Sequence, residues 1–218
     1  MSKDRIDELN ELFLTLSYNE RVEKFYEFFQ NVLVSSSFGV TSSILLKMVS
    51  DVNKEQKVHF IDTTFIFRET EAYIKSLKEN LSLDVVRLKP DQYLNSYTHT
   101  KKAWKSDTDL CCTINKLAPL ESIKSNYDVW ISGLMGWQNN NRQAKNIFEF
   151  KNGKLKFYPI IDMTEHESQL YMLINQLPEH PLKQLGYDSV GCTHCTIKGK
   201  AREGRWQNQG KTECGLHT

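Results

Sequence analysis

Apolar positions first recur at helical spacing. Ile6, Leu9, Leu12, Phe13 and Leu16 form one stripe, which predicts an amphipathic helix over residues 4–16. Ser17-Tyr18-Asn19-Glu20 has the Ser-x-x-Glu form of a capping box and opens a second helix to about Gln30, with Val22, Phe25, Phe28 and Phe29 inward. The period then changes. Val32-Leu33-Val34 is a short unbroken apolar run, the mark of a strand covered on both faces. A Ser- and Gly-bearing turn, Ser35 to Ser43, leads into an apolar helix with Ile44, Leu45, Leu46, Met48 and Val49. Val58 to Ile61 predicts a second strand, residues 67–80 a helix, and Leu83 to Leu88 a third strand. Residues 90–110 are polar and read as a loop or lid with some helix. Residues 111–124 read as mostly helical, interrupted or opened at Pro119. Val129 to Ser132 is a fourth strand, and Gly133 to Lys145 a loop carrying Arg142. A hairpin at Asn152-Gly153 leads into an apolar segment from Leu155 to Ile161, and a helix runs from Thr164 to about Gln176.

Strands alternating with helices predict an α/β fold with a doubly wound, mostly parallel sheet, whose ligands sit beyond the carboxyl ends of the strands. The length, 218 residues, suits one such domain over 1–198, followed by a tail over 199–218. Composition adds little: 39% hydrophobic, 25% charged and a formal net charge of +1. That balance argues against a nucleic-acid binder or a membrane-surface protein, so anion recognition must rest on local clusters. No apolar run approaches the ~20 residues needed to cross a bilayer. The charged start, Met1-Ser2-Lys3-Asp4-Arg5, is not a signal peptide, and a cytoplasmic protein is expected.

The five cysteines change the picture. They fall as an adjacent pair, Cys111-Cys112; a C-x-x-C, Cys192 to Cys195; and Cys214 alone, five positions from the end. Four plus one suggests a four-thiolate metal centre and a separate free thiol. The alternative is five unrelated thiols, several of them buried as small hydrophobes. Adjacent ligands diverge by only ~100° in a helix but point to opposite faces of a strand, so Cys111-Cys112 should lie on a helix or tight turn. Spacing does not separate an iron–sulfur centre from zinc. Cys214 sits in a terminal stretch with His217 and several cations, which reads as a reactive arm folding over something anionic. The strand–turn–helix at Ser35 to Ser43 is a form that can meet an anion, though such turns also occur with no ligand.

Several segments together resemble the adenylyl-sulfate and phosphoadenylyl-sulfate reductases of sulfate assimilation. They are Ser36-Ser37-Phe38-Gly39; Asp62-Thr63 with Phe67-Arg68-Glu69-Thr70; Asp109-Leu110-Cys111-Cys112 with Lys116 and Pro119-Leu120; Pro181-Leu182 and Gly186 to Cys192 with Cys195-Thr196; Arg202-Glu203-Gly204-Arg205-Trp206; and Lys211 to His217. The resemblance implies a Rossmann-like sheet of the PP-loop (adenine-nucleotide alpha-hydrolase-like) type with a mobile catalytic tail. It implies a [4Fe–4S] cluster on Cys111, Cys112, Cys192 and Cys195, because the branch without a cluster lacks both pairs. It implies Cys214 as the nucleophile that attacks the sulfate sulfur of adenylyl sulfate, forming an S-sulfocysteine that thioredoxin or a similar dithiol resolves. Substrate would be held by Ser36, Ser37 and Gly39 at the nucleotide, by Arg142 near the phosphate, and by Lys116, Arg202 and Arg205 at the sulfate. His217 would join this set as a neighbour of the thiol and a further source of positive field. Phosphoadenylyl sulfate as substrate, or a non-catalytic iron–sulfur relative, are the alternatives; dimers or tetramers are the family's habit. The chain departs from the pattern at Met135-Gly136, where most members have two basic residues; at Asn139 to Asn141, in place of a Ser-containing stretch; and at Thr64, where many have Gly.

Overall fold

A computed structural model describes residues 2–207, 211 and 213–217. Two helices, α1 (Lys3–Leu14) and α2 (Tyr18–Phe28), lead into β1 (Val32–Ser36). The α2 capping box forms: Ser17 and Glu20 satisfy each other's backbone N–H groups. Then follow α3 (Ser42–Val52), β2 (Lys57–Ile61), α4 (Arg68–Leu81) and β3 (Asp84–Leu88).

Residues 90–110, expected as a loop or lid with some helix, carry more helix than that. They form α5 (Gln92–Thr100), α6 (Ala103–Ser106) and α7 (Thr108–Cys112), with the Asp91 and Asp107 side chains capping α5 and α7. Thr113–Leu117 is a turn of π-helix, followed by α8 (Ala118–Lys124), which carries Pro119 in its first turn. After β4 (Val129–Ile131) and the short α9 (Asn140–Gln143), a hairpin joins β5 (Phe148–Lys151) to β6 (Lys154–Phe157). Asn152 and Gly153 turn it with φ of 53° and 72°, the left-handed pair that a two-residue hairpin loop requires. The strand stops at Phe157 rather than Ile161, and α10 (Glu165–Ile174) closes the regular part behind a Thr164–Glu167 capping box.

The sheet order is β3-β2-β1-β4-β6-β5, parallel throughout except for β5 against β6. Side chains of β1 and β4 alternate between two cores. Val32, Val34, Val129 and Ile131 join α1–α4 in the large core, while Leu33 and Trp130 pack against Leu120 of α8 and Leu216 of the tail. The chain leaves β1 toward β2 but returns on its other side as β4. The switch point therefore lies between β1 and β4, where a crevice opens at their carboxyl ends. No helix among the described residues is long and apolar enough to cross a membrane.

His180 is fully buried beside Tyr73. It accepts from the Leu182 N–H at Nδ1 (3.2 Å), which leaves its proton on Nε2 facing the Thr70 hydroxyl at 3.1 Å. Burial pushes its pKa down to about 4 from 6.5. The folded state thus keeps it neutral, while an unfolded chain protonates it near pH 6.5. Its contribution to stability is complete above pH 6.5 and falls as pH drops toward 4, by at most about 3 kcal/mol. Urea unfolding at pH 7 and pH 4.5 should show His180→Gln losing less stability on acidification than the parent; equal losses would rule the assignment out.

Candidate active site

The crevice is a cleft of about 900 Å³. Its floor begins with the β1–α3 turn, where Ser36 Oγ accepts from the Phe38 N–H (3.1 Å) and the Ser42 hydroxyl donates to the Gly39 carbonyl (2.7 Å). Phe38 is buried with φ of 48°, a left-handed backbone that a bulky residue takes only when its surroundings impose it. Ser36, Ser37 and Gly39 all line the cleft. A Cβ on Gly39 would meet nothing closer than Ser37 Oγ at 3.5 Å, so nothing in the protein itself demands glycine there.

Beside the turn lie two cysteine pairs. Cys111 and Cys112 end α7 and enter the π turn, as the adjacency argument required. Within that turn, buried Asn115 donates to the Thr98 hydroxyl (3.1 Å), the Cys111 carbonyl (3.0 Å) and Cys111 Sγ (3.5 Å), fixing the pair to α5. Cys192 and Cys195 bracket the short turn Thr193–Cys195. The turn is pinned by Thr193 N–H to the Phe65 carbonyl (2.8 Å) and by Trp206 N–H to the Cys195 carbonyl (3.1 Å). All four thiols are free and buried, and all face one narrow void beside Phe65, Trp104, Asn115, Lys116 and His194.

Among the described residues, no group of three or more His, Cys, Asp and Glu side chains is set to grip a metal ion. The thiols ring a common void, and four thiolates are a set that zinc also accepts. As a donor set, four thiols with no carboxylate among them match the demand of an iron–sulfur group. Burial raises Cys111, Cys112 and Cys195, the last to about 11. Burial acts the same way on Cys192, but Lys116 and the Thr63 hydroxyl 3.3 Å away outweigh it and leave that thiol below its ordinary value.

Lys116 joins this set to the cleft. It is 9% exposed, on the π turn between the thiols and the tail. Burial opposes its charge, yet Cys192, Cys214 and Cys112 around it hold its pKa above the usual lysine range. The tail packs against it. Trp206 is buried, with Arg205 over its ring at 4.4 Å, Arg202 at 5.7 Å and Lys116 at 5.8 Å. Arg205 Nη1 donates to the Val190 carbonyl (3.1 Å) and the Ser189 hydroxyl (3.3 Å), while its Nε is buried with no acceptor among the described residues. Gly191 makes room for this guanidinium: a Cβ there would stand 2.2 Å from Arg205 Nη2. Gly204 is required too, since a Cβ would meet the Ile197 carbonyl at 2.1 Å.

Cys214 is half-buried and lines the cleft with Lys116, Arg142, Arg202 and Arg205. Every residue expected at the substrate is therefore gathered in one crevice. His217 is there too, but not as a cation. It stacks on Trp130 (4.7 Å, 19°), and burial with Arg142 and Lys156 nearby drives its pKa well below 6.5. A neutral imidazole adds no positive field to the thiol.

Reading the sequence missed Glu213. Its carboxylate accepts from Arg142 Nε (2.6 Å) and Nη2 (3.2 Å), Arg202 Nη2 (3.3 Å) and Asn139 Nδ2 (2.8 Å). These donors outweigh burial and hold its pKa down to about 2. Gln138 was missed as well: it accepts from Arg142 Nη1 and donates to Thr41 Oγ1 (3.2 Å), tying the arginine to the β1–α3 turn. The only advance signal was position, one residue from Cys214 and four from Arg142.

The departures at 135 and 136 find a physical reading. Met135 is fully buried in the large core. Gly136 donates to the Ile161 carbonyl (2.7 Å), and a Cβ there would stand 3.0 Å from that oxygen. Neither lines the cleft, which takes Trp137 and Gln138 from this segment instead. Thr64 adopts φ of 64°, a conformation natural to glycine, with its hydroxyl 2.9 Å from His99 Nε2.

Residues 31–198 match the family model of the phosphoadenosine phosphosulfate reductase domain. The chain belongs to this family. Among its curated relatives is an adenosine 5'-phosphosulfate reductase of Bacillus cereus (strain 03BB102), 37% identical over 202 residues, covering 88% of this chain and 86% of the relative. Another of the same name, from Bacillus mycoides (strain KBAB4), is 36% identical over 213 residues, 94% of this chain and 88% of the relative. Among solved structures, a phosphoadenylyl-sulfate reductase from Candida auris in a phosphate complex superposes with a TM-score of 0.75 at 24% identity, covering 90% and 98% of the two chains. An NH3-dependent NAD synthetase from Campylobacter jejuni superposes with a TM-score of 0.55 at 13% identity, covering 83% and 78%. These last two likenesses speak to the fold alone.

Proposed function

We propose that the chain is an assimilatory sulfonucleotide reductase acting on adenylyl sulfate. The observation that carries this is the meeting of Cys214 with Lys116, Arg142, Arg202 and Arg205 in one cleft at the sheet's switch point. Adenylyl sulfate is favoured over phosphoadenylyl sulfate by the two cysteine pairs around one void and by the names of the Bacillus relatives.

In this reading Ser36, Ser37 and Gly39 meet the nucleotide, and Arg142 meets the phosphate. Arg202, Arg205 and Lys116 face the sulfate, where fixed planar guanidinium donors suit a tetrahedral anion. The Cys214 thiolate attacks the sulfate sulfur. A sulfur–sulfur bond forms, the bond from sulfur to the bridging oxygen breaks, and AMP leaves with that oxygen and its electron pair. Lys116 and Arg205 offset the charge building on the group in flight. A thiolate of an external dithiol, thioredoxin or an equivalent, then attacks Cys214 Sγ and expels sulfite. Its second thiol resolves the mixed disulfide, so the reductant ends as a disulfide and Cys214 as a thiol. Residues 199–218 act as the arm that carries the thiol. A cytoplasmic setting, reducing toward thiols, fits five free cysteines.

Cys111, Cys112, Cys192 and Cys195 would hold a [4Fe–4S] group. When bound, it supplies local charge beside Lys116 and a brace for the two turns, rather than electrons. With these four committed, the chain has no spare resolving thiol, which is why the dithiol is external.

The test is sulfite and AMP release from adenylyl sulfate with reduced thioredoxin, run in competition with phosphoadenylyl sulfate and paired with iron and sulfide analysis of anaerobically purified protein. Preferential use of adenylyl sulfate and about four irons per chain are expected; an active, iron-free enzyme would refute the cluster. Gly191→Ala should push Arg205 off its seat and lower kcat/KM by about 100-fold with little change in unfolding midpoint, as misplacing a substrate-aligning group by ~1 Å does. Unchanged kinetics would show that Arg205 does not face the substrate.

A further inference from the structure

Glu213 has no part in the reaction above, yet it is the best-satisfied charge in the cleft. Its side chain is 6% exposed and takes four hydrogen bonds from Arg142, Arg202 and Asn139. Two of these donors are the arginines that the proposed function gives to the substrate's phosphate and sulfate. All three nitrogens of Arg142 are engaged: Nε and Nη2 with Glu213, and Nη1 with Gln138. A phosphosulfate that met Arg142 and Arg202 would have to share them with a buried carboxylate of like charge, which a low-dielectric cleft disfavours strongly. The carboxylate also neighbours the nucleophile along the chain, so whatever moves it moves Cys214.

We propose that Glu213 is an internal stand-in for the substrate's anion. It docks the tail by filling Arg142 and Arg202, and yields them when a phosphosulfate enters, so that binding substrate and re-aiming Cys214 are one exchange. This rests on the reading of the cleft as a sulfonucleotide site. It makes Glu213 a positioning residue: it touches no reacting atom but sets where the thiol lies. With Glu213 on Arg142, Arg202 and Asn139 the tail is docked on its own carboxylate, and Cys214 is half-buried. The device makes the thiol responsive to the right anion and shields it from stray oxidants otherwise. Gln138 belongs to the same device, because it holds the third nitrogen of Arg142 against Thr41 through the exchange.

The test compares full-length parent and Glu213→Gln, a change that keeps shape and removes charge. Two quantities are read: alkylation of Cys214 by iodoacetamide, resolved by peptide mapping, and AMP affinity by calorimetry at low salt. Without nucleotide, Glu213→Gln should alkylate about tenfold faster, and AMP should bind it about tenfold more tightly, the order expected when one like charge leaves an anion site. AMP should speed alkylation in the parent and add nothing in the variant. KM for adenylyl sulfate should fall more than kcat changes. If Glu213→Gln fails to fold, inorganic sulfate titrated into the parent serves instead, and should raise Cys214 alkylation in a saturable way. Tight AMP binding with equal affinities and equal alkylation rates overturns the exchange while leaving the nucleotide site standing. AMP bound by neither protein overturns the nucleotide site, and the nucleotide-free alkylation comparison then decides the docking role alone.

Discussion

Cys214→Ser should release no measurable sulfite from adenylyl sulfate, a loss of about 10⁴-fold or more, while AMP affinity and folding stay near the parent's. The expectation follows from what surrounds the thiol. Lys116, Arg202, Arg205 and Lys211 all act electrostatically on Cys214. A serine hydroxyl is a far weaker acid and a far poorer nucleophile than a thiol, so it cannot take over the attack in the same surroundings. The substitution is nearly isosteric at a half-buried position, so its cost in stability should stay within about 1 kcal/mol. Sulfite and AMP release, with AMP affinity measured alongside, checks both parts. Residual turnover within tenfold of the parent would move the nucleophile elsewhere.

Lys116→Met should lower kcat/KM by about 100- to 1000-fold, the range seen when one group that meets developing charge is removed. Methionine keeps much of the buried stem and its place near the Trp206 ring, so packing changes little. Lys116 lies between the two halves of the site and feels both electrostatically, Cys112 and Cys192 on one side and Cys214 on the other. Iron content should be unchanged in the variant, because lysine donates no ligand. Steady-state kinetics with iron analysis separates the outcomes. Lost iron with lost activity would make Lys116 a brace of the cluster instead, and full activity would remove it from the mechanism.

What the sequence disclosed follows from how each element is held. β1, β2 and β4 are parallel strands inside the sheet, so they appear as short apolar runs that periodicity detects, and β3 at the edge, though half-exposed, keeps Val85, Val86 and Leu88 as its signal. The helices between Gln92 and Cys112 were hidden because tertiary contacts and the Asp91 and Asp107 caps hold them, not an apolar stripe. The π turn at Thr113–Leu117 was hidden too: one extra residue per turn leaves no trace in a 3.6-residue pattern. Tyr158, Ile160 and Ile161 are fully or nearly buried, so they read as more strand, but they turn away to meet Ile147 and Gly136.

The site divides in the same way. Thiols and arginines near the terminus were legible because their chemistry is unusual there, and motif order placed them together. Glu213 was not, because a carboxylate among anion-binding arginines runs against charge logic until its four bonds are seen. His217 was legible as a position but not as a charge state, which its stacking on Trp130 and its burial decide. Met135 and Gly136 looked like charge lost from the pocket, yet both sit behind its wall.

In the proposed reaction Cys214 takes the sulfonate from the nucleotide. Incubating the protein with adenylyl sulfate in the absence of any thiol, then mapping its peptides by mass spectrometry, tests this directly. One added sulfonate group is expected on the peptide carrying Cys214, with one equivalent of AMP in solution and loss of the adduct as sulfite when reduced thioredoxin is added. AMP release with an unmodified Cys214, or the adduct on any of the other four cysteines, would contradict the proposed reaction.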